Sequence, residues 1–177
     1  MSVLGQGRTT RASYIRCNRS LTLGHCAVIL LIAIGTSTPA TAKVRITGLS
    51  DVNFGAISNL TIDAVQAQSV CAYSNSAGNS YSVRADGSGA GGAFTLTNGV
   101  TTLAYGVRWN SQPGQSNGTS LSSGALLGSQ TTNAQNQTCS SGPPTTASLI
   151  VTLPATSLSS AGAGNYSGTL TLIVAEE

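Results

Sequence analysis

The apolar residues of this chain recur at every second position, a spacing that predicts extended strands instead of helices. Successive side chains of a strand point to opposite faces, so each apolar set lies on one face of a sheet. The run at 149–153 is apolar nearly throughout, as in a central strand covered on both faces. The clearest alternating sets are Leu103, Tyr105, Val107 and Trp109, and Tyr166, Gly168, Leu170, Leu172 and Val174.

Shorter segments with weaker strand patterns fill much of the remaining chain. Gly, Asn and Ser separate many of them, and these residues favour tight turns. No stretch predicts a helix of ordinary length, and the pattern as a whole predicts an all-β sandwich of one domain. The polar segment 111–144 is predicted to be a long loop. The weaker strands are predicted at 43–49, 51–57, 60–65, 69–73, 81–85 and 93–97.

The N-terminal region has the pattern of a secretory signal peptide. Arginines at positions 8, 11, 16 and 19 precede the apolar run 27–35, and a small-x-small sequence ends at Ala42. That run is too short to span a bilayer, which takes roughly 20 residues. We therefore expect 1–42 to be a signal peptide and 43–177 to be the exported domain, without a membrane span after cleavage.

Residues 43–177 lack the side chains that most catalytic and metal sites need. The only histidine, His25, lies in the predicted signal peptide together with Cys17 and Cys26. This excludes Ser-His-Asp and Cys-His catalysis and the zinc sites built from histidines or four cysteines. The acidic residues are scattered, and no basic cluster is present for nucleic acid. The sequence predicts no enzyme, cofactor, metal site or nucleic-acid partner.

Cys71 and Cys139 are the cysteines that remain after the predicted cleavage. Export places a chain in an oxidising compartment, where two cysteines most simply form one disulfide. A reactive thiol is the alternative, but neither cysteine has a basic neighbour in sequence that would lower its pKa.

Several motifs together resemble one protein family. They lie at 71–74 (CAYS), 79–87 (NSYSVRADG), 94–96 (FTL), 103–107 (LAYGV) and 163–174 (AGNYSGTLTLIV), with a Phe-Gly element at 52–55 (VNFG). These motifs resemble the spore coat protein U domain family, the secreted pilin-like subunits of archaic chaperone-usher pili. The resemblance covers nearly all of residues 43–177.

The resemblance implies an immunoglobulin-like β-sandwich that lacks its final strand. Such a subunit is held by a periplasmic chaperone, passed to an outer-membrane usher and joined to other pilus subunits by donor-strand complementation at the cell surface or in a fimbrium. The sequence ends shortly after its last alternating strand, which agrees with a missing strand. We expect Leu170, Leu172 and Val174 to line the strand-acceptor groove, with Tyr166 at one end; ordinary core of a complete sandwich is the alternative.

The short segment before the Phe-Gly element leaves two alternatives open. Segment 43–49 is either a donor strand, offering Val44 and Ile46, or the first strand of the domain itself. In the second case the protein would accept a strand without giving one, at a fibre terminus or outside a polymer.

The leading functional hypothesis is therefore a structural subunit of a secreted surface fibre or coat. The alternative is a tip-type adhesin or a carbohydrate- or surface-binding module, in which 111–144 forms a recognition loop and Trp109 at its edge contacts the ligand. The alternating register also allows Trp109 to be a core residue.

Overall fold

The computed structural model describes residues 43–177, and strands dominate this part of the chain. The predicted signal peptide, with Cys17, Cys26 and His25, lies outside the described residues. A short helix α1 (Ala155–Ser160) and two 3-10 turns accompany the strands. The strands are β1 (Val44–Thr47), β2 (Ala64–Ser74), β3 (Ser80–Gly87), β4 (Thr95–Thr97), β5 (Thr102–Ala104), β6 (Gly106–Asn110), β7 (Thr119–Ser120), β8 (Leu126–Thr131), β9 (Ala147–Leu153) and β10 (Leu170–Glu176).

Two antiparallel sheets make up the body of the domain. The first has five strands in the order β1-β2-β9-β6-β7, and the second has three in the order β10-β3-β8. Strands β4 and β5 form a separate pair, which an isolated bridge between Thr97 and Ser167 ties to the segment before β10. The predicted all-β class is confirmed.

One hydrophobic core lies between the two sheets, as expected for a sandwich. The alternating set of β5 and β6 points into it: Val107 and Trp109 are 2% and 1% exposed. β9 is buried along its whole length, as its unbroken apolar pattern predicts. Further buried members of this core are Val70, Ala72, Tyr81, Val83, Ala85, Leu103, Tyr105, Leu149 and Val151.

The disulfide between Cys71 and Cys139 is present, with an S–S distance of 2.05 Å. It ties the loop between β8 and β9 to β2. Two threonines of that loop reinforce the attachment, because the hydroxyls of Thr132 and Thr146 both donate to the Ala72 carbonyl, at 2.6 and 2.8 Å. The loop is therefore held by one covalent bond and by side-chain hydrogen bonds to the same strand.

Two regions differ from the predicted strands. Residues 48–63 form no regular strand, so the prediction of strands at 51–57 and in the first part of 60–65 is wrong. Asn53 and Asn59 explain this, because their Oδ1 atoms accept from the backbone N–H groups of Gly55 and Thr61 and stabilise local turns. Conversely, the polar segment 111–144 contains β7 and β8 as well as loops.

Candidate functional site

Strand β10 lies at an edge of the second sheet and is paired on one side only. It pairs with β3 from Leu170 opposite Gly87 to Glu176 opposite Tyr81. Within residues 43–177, no strand pairs with its other side. The seven residues of β10 therefore present a row of backbone N–H and C=O groups that a further strand could bind.

The inner face of β10 is only partly covered. Leu170, Leu172 and Val174 contact the core but stay half-buried, whereas β3 beside them contributes fully buried side chains. The outward residue Ile173 is 44% exposed. The apolar alternation predicted from the sequence is thus present, and β10 is an edge strand whose inner face is partly exposed.

The edge strand of the first sheet, β1, approaches β10 on the same side of the sandwich. It pairs with β2 only from Val44 opposite Ser74 to Thr47 opposite Cys71. Gly48 then adopts a φ of +81° and turns the chain away from β2. Val44 and Ile46 lie in β1, which pairs with β2, and both contact the core.

Because β1 is so short, the first half of β2 lacks a neighbouring strand on that side among the described residues. A cavity of about 260 Å³ lies there, lined by residues 50–53 and 66–68. The Gln68 amide closes part of the gap, since its Oε1 accepts from the Ser50 N–H at 2.9 Å and its Nε2 donates to the Ser50 carbonyl at 3.1 Å. Gln66 has no such partner and is exposed.

One feature of the sequence of β2 points to this cavity. Gln66 and Gln68 pair with Val151 and Leu149, which point into the core, so both glutamines occupy inward positions of β2. An inward amide in a strand that continues with Val70 and Ala72 interrupts the apolar alternation and indicates incomplete coverage.

The other sheet edges carry features that discourage pairing. β7 has two residues. β8 has a register shift against β3, and its Ser129 adopts a φ of +57°. The Ser129 N–H donates to the Glu177 carboxylate at 2.7 Å. Short strands and bulges protect sheet edges against pairing with other chains. β10 is seven residues long and has no bulge.

Tyr166 precedes β10 and lies near its Leu170 end. Its side chain is half-buried against the core. Its hydroxyl lies 2.7 Å from the Thr101 hydroxyl and donates to the Gly162 carbonyl at 3.0 Å. These contacts fasten the segment before β10 to the turn between β4 and β5.

Trp109 lies in the core, at 1% exposure, so it offers no surface to a ligand. Its indole Nε1 donates to the Tyr81 hydroxyl at 3.2 Å, and the two rings meet edge to face with centroids 6.4 Å apart. Burial raises the pKa of Tyr81, and the hydrogen bond from Trp109 opposes that effect. The position in the alternating register, not the neighbouring polar loop, decides where this side chain lies.

Charged and metal-ligating side chains are few among the described residues. In this part of the chain, no three His, Cys, Asp or Glu side chains come together as metal ligands. The Arg84 and Asp86 side chains form an ion pair at 2.9 Å on the second sheet. None of the described helices has the length and apolar character needed to cross a membrane.

Comparison with known proteins gives a weak match in fold. No family model and no curated protein matches the chain. One solved structure that does match is described as "Chaperone-tip adhesin complex is vital for synergistic activation of CFA/I fimbriae biogenesis", with 17% sequence identity and a TM-score of 0.48. The match covers 76% of this chain and 41% of that one. A likeness at this level assigns neither family nor function, and the resemblance to the spore coat protein U family stays a prediction.

Proposed function

We propose that this domain accepts a β-strand from another polypeptide along β10 and serves as a structural subunit of a secreted surface fibre or coat, assembled in the chaperone-usher manner. The observation that carries the proposal is the combination of a free edge and a half-buried apolar face on the same strand. Adding a strand to such an edge, with alternate side chains inserted into the sandwich, is a known mode of recognition, β-augmentation.

The energy available at this edge supports the proposal. Fully burying a Leu or Val side chain stabilises by about 1.5 to 3 kcal/mol, and Leu170, Leu172 and Val174 are each exposed by no more than about a third, so covering them would give at most about 3 kcal/mol. The apolar side chains of the incoming strand would add to this. Whole domains are stable by only about 5 to 15 kcal/mol, so strand binding would change the stability of this domain substantially.

The same edge explains why partners would be needed in transit. A long, apolar edge without a bulge or a proline is a template for pairing between copies, and hence for aggregation. A periplasmic chaperone would cover β10 until an outer-membrane usher transfers the subunit and a neighbouring pilus subunit supplies its strand. The Cys71–Cys139 disulfide suits that oxidising route.

Two substitutions on adjacent residues of β10 test the proposal. The chain is co-expressed with a periplasmic chaperone from its own genomic neighbourhood, and the complex is quantified after affinity purification. Leu172→Asp places a carboxylate on the half-buried inner face, where burying an unpaired charge is costly, and should abolish capture. Ile173→Asp places the same group on the exposed outer face and should leave capture intact.

If Leu172→Asp is captured as well as Ile173→Asp, the inner face of β10 is not the acceptor. Circular dichroism and Trp109 fluorescence of both variants verify that they fold before capture is compared. A wild-type chain that remains a stable monomer and binds no chaperone would also refute strand acceptance.

A further inference from the structure

We infer that the strand bound along β10 carries a lysine or arginine near the Leu170 end, and that the carboxylate of Asp51 binds it. This inference rests on the proposed function and adds the chemistry of the partner. The binding place for the basic side chain is the cavity lined by 50–53 and 66–68.

The strand connections place this cavity at the Leu170 end of the groove. β2 leads into β3 through a short connection, so the end of β2 and the start of β3 lie at the same end of the sandwich. The first half of β2, with Gln66, therefore lies at the opposite end, where Gly87 closes β3. Leu170 pairs with Gly87. A strand along β10 therefore has one of its ends at the end of the sandwich that holds the cavity.

Asp51 is the one charged residue among those that line the cavity, so the cavity favours a cation over an anion. Asp51 is exposed and forms no ion pair with any described residue. Asp63, the carboxylate just before β2, is already engaged, because its Oδ1 accepts from the Ala155 N–H at 2.8 Å. An apolar side chain placed beside Asp51 and Gln66 would remove water from polar groups without replacing their hydrogen bonds.

A basic side chain avoids that cost. A lysine ammonium has three donors and an arginine guanidinium has five, and both suit the acceptor oxygens of Asp51 and Gln66. The pair stays partly solvated, so its contribution is modest. Exposed ion pairs of this kind change affinity by roughly two- to fivefold, and added salt weakens them.

The test uses short synthetic peptides of alternating threonine and valine, each with one lysine at its N-terminal or C-terminal end. Matched peptides carry acetyl-lysine, which keeps the length and removes the charge. Affinity for the wild-type protein is measured by fluorescence anisotropy at low and high salt. We expect one lysine peptide to bind roughly two- to fivefold more tightly than its acetylated counterpart at low salt, and this preference to shrink as salt rises.

Three variants assign the effect to the cavity. Asp51→Asn should remove the preference for lysine and its salt dependence while leaving the affinity for the acetylated peptide unchanged. Asp63→Asn is the matched control and should retain the preference. Gln66→Glu adds a second carboxylate and should increase it.

The possible failures are distinguishable. If the peptides bind but lysine and acetyl-lysine bind equally, the inference about Asp51 is wrong and strand acceptance stands. A lysine preference that survives in Asp51→Asn also overturns the inference. If no peptide binds, or if binding is unaffected by Leu172→Asp, the proposed function fails and the inference fails with it.

Discussion

Removing the Cys71–Cys139 crosslink should destabilise the domain strongly, mainly through the unfolded chain. The bonded cysteines are separated by 68 residues in sequence. In the chain-entropy model, opening a loop of that length costs roughly 4 kcal/mol of stability. With a urea dependence of about 2 kcal/mol per M, the unfolding midpoint should fall by about 2 M.

The structure indicates why the folded state should change little. Thr132 and Thr146 still donate to the Ala72 carbonyl when the disulfide is open, so the loop remains attached to β2. Reduction of the wild-type protein is therefore the primary perturbation, because it keeps both sulfur atoms in place. The double variant Cys71→Ala/Cys139→Ala should lose slightly more, since truncating two buried side chains also leaves a small cavity.

Urea unfolding followed by tryptophan fluorescence measures the effect. Trp109 is the only tryptophan of the chain and is buried, so its emission reports loss of the core. Oxidised and reduced protein are compared in the same buffer, with a thiol assay to verify reduction. A difference below about 1 kcal/mol in the free energy of unfolding would refute the chain-entropy argument for this loop.

Replacing Tyr81 and Tyr105 with Phe should change the stability of the protein differently, although both tyrosines are buried. Tyr81→Phe leaves the Trp109 indole N–H without its acceptor, so it should reduce the free energy of unfolding by about 1 to 3 kcal/mol. Tyr105→Phe removes a buried hydroxyl that lacks a partner among the described residues, so it should be neutral or stabilising. Equal losses in urea unfolding would contradict this. Burial raises the pKa of both phenols above the ordinary value of 10.0, so the folded protein keeps these protons at a pH where the unfolded chain releases them. Stability should be at its full value below pH 10 and fall as the pH rises toward the folded pKa values, and each Phe variant should reduce that slope. A flat stability profile above pH 10 would refute the assignment.

The parts of the fold that the sequence predicted are those with a repeating local pattern. The alternation around Val107 and Leu172 and the apolar run of β9 correspond to strands in the structure. Pairing of Cys71 with Cys139 was also predictable, because the predicted cleavage leaves no other cysteine. In each case a local sequence pattern or the number of remaining cysteines is sufficient for the prediction.

The unpredicted parts depend on interactions that local patterns do not contain. Segment 51–57 has the composition of a strand, but turns stabilised by Asn53 and the φ of +64° at Gly55 prevent it. β8 lies in a polar sequence and forms because β3 pairs with it. The sequence predicted which residues of β10 face inward. It did not predict that they stay half-buried, because this depends on the absence of a neighbouring strand beside β10 and beside the first half of β2.

The disulfide and the open edge are linked by their position in the fold. The crosslink lies on the first sheet, on β2 and the loop before β9, and leaves β10 unconstrained. Its contribution of roughly 4 kcal/mol exceeds the stabilisation of at most about 3 kcal/mol that covering the inner face of β10 would add. A domain of this size with an uncovered rim would otherwise be close to the limit of stability. Stabilising the first sheet covalently would allow the second to keep a free edge while the protein stays folded, which is the condition that the proposed strand acceptance requires.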